Sequence, residues 1–139
     1  MTGTVRNVVA ELLATLLFVF TIVGAVNADT TLAPIAIGFA LMVLVYATGH
    51  ISGAHLNPAV SLAVLIRGGI GIGDFVAYVV AQLVGGALGA LLALTVWPAA
   101  EAAVEFNPGT GAAFVVEAVV TLILAYVVLN VATSKDNDG

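Results

Sequence analysis

The chain has 139 residues, of which 62% are hydrophobic and only 8% are charged, with a formal net charge of -5. A soluble domain is usually about a quarter charged, so these charges cannot cover the surface of a soluble fold, and lipid is the expected solvent. The sequence contains no cysteine, which excludes disulfides, thiolate metal sites and cysteine nucleophiles.

Four apolar segments are long enough to cross a membrane, which takes roughly 20 residues as a helix. The first is too long for the apolar region of a signal peptide and lacks a clear cleavage pattern, so we expect it to be retained. Short polar connections separate the segments. The predicted spans are residues 7–27, 32–48, 74–96 and 112–133.

A fifth apolar piece, PAVSLAVLI at residues 58–66, spans about 14 Å as a helix and is too short for a hydrocarbon core of roughly 30 Å. Asn57 before Pro58 is typical of an N-cap followed by proline at the first helical position, and Arg67 with two glycines ends the helix. We predict a half-helix that enters the bilayer and turns back. A helix lying in the interface is the alternative, which the nearly uncharged composition disfavours.

The charged residues predict the orientation of the chain. Positive residues concentrate in cytoplasmic connections, and all three basic residues fall on one side of the predicted spans. The N-terminus is therefore expected to be cytoplasmic, and insertion in both orientations is disfavoured. The basic residues are Arg6, Arg67 and Lys135, and the acidic residues on the other side are Asp29, Glu101 and Glu105.

The first and fourth spans share the pattern Glu-x-x-x-Thr. Glu11 and Thr15 match Glu117 and Thr121 at a common offset of 106 (117 − 11 and 121 − 15). A glutamate inside an apolar helix is costly, so two at equivalent points indicate an internal repeat. Because three spans lie in one unit, the second copy would be inverted in the membrane, as is common in transporters and channels.

The repeat predicts two parts of unequal length. Residues 1–106 would form the first repeat, and residues 107–139 the first helix of a truncated second repeat. A second copy of the polar string around Asn57 would fall near position 163 (57 + 106), beyond the 139 residues present. We expect either a fragment or a chain whose missing half comes from another chain.

The string GHISGAHLNPAV at residues 49–60 resembles the first pore loop of the aquaporin and glycerol-facilitator family, the major intrinsic proteins. The asparagine-proline-alanine signature of that family is Asn57, Pro58 and Ala59 here. The tripeptide alone would be weak, but the whole string at this point of the topology is specific. The resemblance implies an all-α membrane protein, a partial aquaporin-like bundle of four transmembrane helices and one re-entrant half-helix.

The resemblance also implies a passive channel for water, with small neutral solutes as a second candidate substrate, and no enzymatic activity, no cofactor and no nucleic-acid partner. Ile37 would stand at the constriction, and isoleucine there leaves water and other neutral solutes both open. The alternative is that Ile37 faces lipid or a neighbouring helix. The implied pore-lining residues are Ile37, Gly53, Ala54, His55, Leu56 and Asn57.

The implied pore loop contains groups that can form hydrogen bonds with water. Backbone carbonyls of residues 53–56 would offer acceptors to water, and glycine and alanine would let that backbone approach the lumen. Asn57 would cap the half-helix and donate from its NH₂ group to a passing water. The half-helix N-terminus carries a partial charge of roughly +0.5, which opposes protons and cations.

Buried carboxylates need partners, and the resemblance implies that Glu11, Glu117 and His50 brace the pore loops. We expect Glu117 to support the loop that carries His55, and Glu11 to support a corresponding second loop that is missing here. The alternatives are a proton relay for the glutamates and ordinary packing in a polar network for His50. No metal site is expected, because the two histidines lack an evident third ligand.

The expected partners are the lipid bilayer, water or a small neutral solute, and either further copies of the chain or a complementary half. The family usually forms tetramers, and the expected location is the cell membrane with multiple spans. Two alternatives to a conducting channel remain: a non-conducting membrane fragment, and a half-channel that needs a partner chain. The isolated chain is expected to be unstable or oligomeric, because an open bundle would expose its loop to lipid.

Overall fold

The computed structural model describes residues 3–28, 31–97 and 109–132. Within these ranges the regular elements are all α-helices, and four of them are long and apolar enough to cross a membrane. The predicted fold class, a partial aquaporin-like bundle of four spanning helices and one short helix, is confirmed, and the chain is a multi-pass membrane protein. The helices are α1 (Gly3–Asn27), α2 (Ala33–Ser52), α3 (Pro58–Ile66), α4 (Ile72–Val96) and α5 (Thr110–Ala132).

The short helix α3 has the predicted bounds, but the predicted end of α2 at residue 48 is wrong. The helix continues to Ser52, so the first part of the polar string is helical and not a loop. Gly53 ends the helix with φ of +89°, and its N–H donates to the carbonyl of Gly49. Glycine adopts this left-handed conformation without the steric cost of a side chain, which makes it the usual helix terminator.

Helices α1 and α4 pack with their backbones close together. A side chain at Gly85 or Gly89 of α4 would overlap the carbonyl oxygen of Leu12 or Leu16 of α1. Small residues one turn apart are the usual means by which membrane helices approach so closely. Gln82 lies on α4 three residues before Gly85, so this packing brings its side chain into contact with α1.

The start of α3 lies deep in the bundle. Ser61 of α3 bonds to Gln82, which is ten residues or about 15 Å into α4, and Gln82 bonds to Glu11, about 12 Å into α1. Asn57 lies one turn before Ser61, near the middle of spanning helices that are each about 37 Å long. The half-helix therefore begins at mid-bundle and returns to the end where α1 begins.

Helix α5 packs against α3 and against no other described helix. None of its described side chains is buried. Val128 near its C-terminus lines a cavity together with Gly69 and Ile70, which follow α3. Because those residues lie at the end where α1 begins, α5 runs antiparallel to α4.

Several residues of the charge comparison lie outside the described ranges. Arg6 and Arg67 are described, and both lie toward the end of the bundle where α1 begins and α3 ends. The residues outside the described ranges are Asp29, Glu101, Glu105 and Lys135, together with Asn107 at the predicted start of the second repeat.

Candidate functional site

The loop between α2 and α3 has an unusual backbone conformation. Gly53, Ala54 and Leu56 have φ of +89°, +50° and +51°, whereas Asn57 is extended with φ of -152°. A left-handed conformation costs an alanine or a leucine roughly 1–2 kcal/mol. The surrounding contacts must therefore hold the loop in this shape.

The amide groups of the loop are turned toward the protein. The N–H of His55 donates to Glu11 Oε1 at 2.9 Å, and the N–H of Leu56 donates to Glu11 Oε2 at 2.8 Å. The N–H of Ala54 donates to Ser52 Oγ at 3.1 Å, and the glycine N–H before it caps α2 as described above. A single carboxylate therefore binds two successive amides, one on each oxygen, and fixes the direction of the loop.

The carbonyl groups of the loop are turned the other way. The carbonyl oxygens of Gly53, Ala54, His55 and Leu56 accept no hydrogen bond from any described residue. A buried carbonyl without a partner is costly, so a run of such groups is expected only where water or another donor can reach them. The loop thus presents a row of free acceptors on one side, while its donors are used on the other.

Asn57 starts α3 and also faces open space. Its Oδ1 accepts the N–H of Ala59 at 2.8 Å, and Pro58 occupies the first helical position. This arrangement is the N-cap that the sequence predicts. The Nδ2 amino group has no partner among the described residues, and Asn57 lines a cavity of about 100 Å³. Its two hydrogens are therefore available to a molecule in that cavity.

Three cavities in the described part of the chain touch the loop. One of about 280 Å³ is lined by Gly53 and Ala54. The other two follow the loop from Gly53 to Asn57. The smaller one, about 100 Å³, lies at the tip of α3, and the larger one, about 330 Å³, lies toward the end where α1 begins. Both are lined by His55 and Val128, so they are neighbours along the loop. In each cavity the loop forms the polar wall and helix side chains form the apolar wall. The apolar side chains of the smaller cavity are Phe18, Leu41, Val45, Val60, Leu124 and Val128.

Glu11 is the centre of a buried hydrogen-bond network. Its side chain is 0% exposed and accepts, besides the two loop amides, the Ser52 hydroxyl at 2.6 Å and the Gln82 amide at 2.8 Å. A buried carboxylate is tolerated when charge-assisted hydrogen bonds of this kind replace water. The network ties the loop to α1, to the end of α2 and to the middle of α4.

The loop is held by a different glutamate from the one that the sequence analysis predicts. The prediction that Glu117 supports the loop carrying His55 is wrong, because Glu11 binds that loop. Glu117 is exposed on α5 and makes no hydrogen bond with the described residues. The physical reason is that α1 packs beside the end of α2, whereas α5 packs against α3 alone. The prediction that Glu11 serves a second, missing loop is wrong for the same reason.

Two further predicted residues lie apart from this network. His50 is exposed on the last turn of α2 and makes no hydrogen bond with the described residues. No hydrogen bond among these residues therefore supports the predicted bracing role of His50. Ile37 is half-buried on α2, one turn before Leu41, which lines the smaller cavity. Side chains four residues apart share a helix face, so Ile37 lies on the cavity side of α2. Its place in a constriction stays a prediction.

Four residues of the site received no role from the sequence. Gln82 lies inside a 25-residue apolar helix, and a polar side chain at such a depth needs a partner, which was the available signal. Tyr78 lies one turn before it and donates its hydroxyl to the carbonyl of Ser52 at 2.8 Å. Partners separated by 26 to 71 positions could not be paired from sequence alone. The four residues are Ser52, Ser61, Tyr78 and Gln82.

The chemistry available at the site is hydrogen bonding to neutral molecules. Among the described residues, no group of three or more histidine, aspartate or glutamate side chains could hold a metal ion. The carboxylate of Glu11 is occupied by protein donors and does not reach the cavities as a free ligand. What remains open is the row of carbonyls, the amino group of Asn57 and the Nε2 atom of His55, which has no partner among the described residues.

Comparisons with known proteins agree with this geometry. The chain is 36% identical over 148 residues to Aquaporin-B of Dictyostelium discoideum, covering 92% of the chain and 50% of that protein. It is 38% identical over 151 residues to Glycerol uptake facilitator protein-like 6 of Lactiplantibacillus plantarum, covering 95% and 65% respectively. It is 39% identical over 146 residues to Aquaporin-2 of Bos taurus, covering 96% and 54%.

The chain thus spans about half to two thirds of the length of these curated relatives. The family described as Major intrinsic protein matches residues 1–139, the whole chain. The match includes the string that ends in Asn57, Pro58 and Ala59, which the structure places at the tip of a half-helix. On this match and the identities above, the chain belongs to the major intrinsic protein family.

Proposed function

We propose that this chain supplies one half of a passive membrane channel for water and small neutral solutes. The observation that carries the proposal is the loop from Gly53 to Leu56, whose amides are bonded inside the protein while its carbonyls are free beside two cavities. Water that passes such a wall exchanges one hydrogen bond for another and so loses little solvation. The names of the relatives, two aquaporins and a glycerol uptake facilitator, support the same class of activity.

The tip of α3 favours neutral solutes over cations. The helix begins at Pro58 with its N-terminus directed at the smaller cavity, where the helix dipole places a partial charge of roughly +0.5. The free amino group of Asn57 adds two donors at the same point. A cation at the tip meets positive potential and donors, whereas a water oxygen meets the partners it requires.

A second, inverted half is proposed to complete the pore on the open side of α5. Glu117 lies two turns before Leu124 and three turns before Val128, which line the smaller cavity, so it shares their helix face. It is the repeat counterpart of Glu11, yet no described residue donates to it. A loop like that of residues 53–56 from the complementary half would supply the missing donors, whether it lies in a longer chain or in a separate one.

This proposal includes the predicted division into a first repeat at residues 1–106 and the opening helix of a second at residues 107–139. The rival interpretation is a non-conducting membrane protein, which the row of free carbonyls disfavours. We place the N-terminus in the cytoplasm, because Arg6 and Arg67 lie toward the same end of the bundle. Assembly of the complete channel as a homo-oligomer, a tetramer by the family resemblance, is part of the same proposal.

Stopped-flow light scattering of proteoliposomes tests conduction. We expect residues 1–139 alone to give no water permeability above that of empty liposomes. A chimaera that adds the unmatched remainder of the glycerol facilitator relative, of which this chain covers 65%, should raise it well above that baseline. Baseline permeability from a chimaera whose half-helix and spans are folded by circular dichroism would contradict the half-channel proposal. Strong permeability from residues 1–139 alone would contradict the need for a second half.

Substitutions of Asn57 separate its two roles. Asn57→Asp keeps an oxygen for the N–H of Ala59, so the unfolding free energy should change by less than about 0.5 kcal/mol, but it removes both free hydrogens. Asn57→Ala also removes the cap and should cost about 1 kcal/mol. In the chimaera we expect both variants to lose water permeability and Asn57→Asp to admit sodium ions. Unchanged permeability of Asn57→Asp would show that the amino group does not serve permeating water.

A further inference from the structure

We infer that Gln82 and Ser61 hold His55 as a neutral imidazole with its proton on Nε2, which makes the ring a fixed hydrogen-bond donor on the wall of the larger cavity. Gln82 and Ser61 act here as positioning residues through His55. The proton assignment depends on protein contacts alone. The identity of the acceptor as a permeating water or hydroxyl solute rests on the proposed function.

The first step is the amide of Gln82, whose orientation Glu11 dictates. Gln82 Nε2 lies 2.8 Å from Glu11 Oε2 and 2.9 Å from Ser61 Oγ. If the amide were reversed, its oxygen would face a carboxylate oxygen that already accepts the N–H of Leu56. Both Nε2 hydrogens are therefore assigned, one to Glu11 and one to Ser61. The buried Gln82 Oε1 is left without a described partner, so it is the nitrogen that holds the side chain in place.

The second step is the hydroxyl of Ser61, which is 0% exposed. Its oxygen receives a hydrogen from Gln82 and lies 3.0 Å from His55 Nδ1. The hydroxyl has one hydrogen of its own, and Nδ1 is its one available acceptor among the described residues, since no described carbonyl accepts it. The hydrogen therefore points to Nδ1, which must carry a lone pair. A neutral histidine with an unprotonated Nδ1 has its proton on Nε2.

The third step is the direction of Nε2, which Tyr78 and Gly53 determine. The Tyr78 ring meets the imidazole edge-on, with 5.2 Å between ring centroids and 70° between planes. Nε2 lies beside Gly53, where a Cβ would stand 3.1 Å from it, so the missing side chain leaves this nitrogen uncovered. Gly53 and His55 both line the cavity of about 330 Å³. No described residue accepts the Nε2 hydrogen, which is thus directed at that cavity.

This arrangement has two consequences for the proposed channel. The larger cavity offers the Nε2 donor of His55 to the oxygen of a molecule inside it, beside the row of carbonyl acceptors. The ring also cannot take a proton from the cavity, because Nε2 already carries one and Nδ1 is covered by Ser61. His55 is therefore prevented from relaying protons along the loop, although an imidazole is otherwise well suited to do so.

Nitrogen-15 NMR spectroscopy of the full chain in detergent micelles tests the assignment directly. The chain has two histidines, so labelling with ¹⁵N-histidine gives two sets of ring signals, which a His50→Gln variant separates. Two-bond proton–nitrogen correlations then show which ring nitrogen carries the proton. We expect His55 to show one neutral form, protonated at Nε2 alone. The exposed His50 serves as the internal reference, and it should average over both tautomers.

Two variants test whether Ser61 and Gln82 cause this state. Ser61→Ala removes the donor to Nδ1. Gln82→Met removes the N–H that fixes the Ser61 hydroxyl, which can then turn and accept a hydrogen from Nδ1. Each of these two variants should convert the single His55 form into a mixture of tautomers. Ser61→Thr keeps the hydroxyl, so it should keep the single form protonated at Nε2.

Protonation of Nδ1 in the unmodified chain overturns the inference, and so does an unchanged His55 spectrum in folded Ser61→Ala. The spectrum of the unmodified chain decides the proton assignment even where a variant fails to fold. No part of this experiment requires conduction, so its outcome is independent of the outcome of the liposome assay.

Discussion

Replacement of Glu11 by glutamine is expected to destabilise the chain by about 2–6 kcal/mol, because two buried donors lose their acceptor, and to abolish conduction by the completed channel. The carboxylate accepts two donors on each oxygen, and a glutamine offers one oxygen and turns an amino group toward the other pair. The N–H of Leu56 and the amide of Gln82 would then face a donor. A buried polar group left in that state costs about 1–3 kcal/mol. The loop should lose its shape, because Ala54 and Leu56 have left-handed conformations that the contacts with Glu11 hold in place.

The chain offers a matched control for this experiment. Glu117→Gln is the same chemical change at the equivalent point of the repeat, on an exposed side chain without a described hydrogen bond. We expect its unfolding free energy in detergent to change by less than about 0.5 kcal/mol. Chemical denaturation followed by circular dichroism measures both variants. Equal losses from the two substitutions would contradict the assignment of the loop to Glu11.

The control variant Glu117→Gln has a different expected effect on stability in the complete channel. If a second loop donates to Glu117 in the chimaera, Glu117→Gln should become destabilising there, although it is neutral in residues 1–139. The change in its effect between the two contexts measures the contact that we propose. A neutral effect in both contexts would mean that Glu117 has no partner loop.

Local signals in the sequence were sufficient for most of the fold. The lengths of the apolar runs define the spanning helices, and Asn57 followed by Pro58 defines the start of α3. Local signals do not fix the end of α2, because Gly49 and Gly53 lie in the same polar string and either glycine could end the helix. Tertiary contacts decide between them, since the Ser52 hydroxyl reaches Glu11 only if the helix continues to residue 52.

The cap of Asn57 was predictable from the loop sequence, whereas the buried contacts that hold the loop were not. The carbonyl row and the cap of Asn57 follow from the loop sequence and its family resemblance. The partner of the loop could not be deduced, because Glu11 and Glu117 stand at equivalent points of the predicted repeat, in the same pattern Glu-x-x-x-Thr. The choice is made by packing, which places α1 beside the end of α2 and brings together residues 44 and 71 positions apart.

A second large effect is expected at the contact between α1 and α4. Gly89→Ala should destabilise the chain by about 3 kcal/mol, at the upper end of the range for overpacking, because the added methyl group would overlap the carbonyl oxygen of Leu16. A backbone carbonyl cannot rotate away as a side chain can, so the two helices must separate. Separation would also pull Gln82 from Glu11 and so disturb the pore loop from a distance. Chemical denaturation measures the first effect, and the tautomers of His55 report the second.

Gly86→Ala is the control that isolates close approach as the cause. A Cβ at Gly86 would lie 3.6 Å from Val19 Cγ2 and 3.9 Å from Thr15 Cγ2, which are ordinary contacts with side chains. This variant should keep the stability of the unmodified chain or exceed it slightly, because alanine favours the helix over glycine. Helix propensity changes in the same way in both variants, whereas only Gly89→Ala overlaps the backbone of α1. A similar loss from Gly86→Ala would therefore assign the effect to the glycines themselves and not to the distance between the helices.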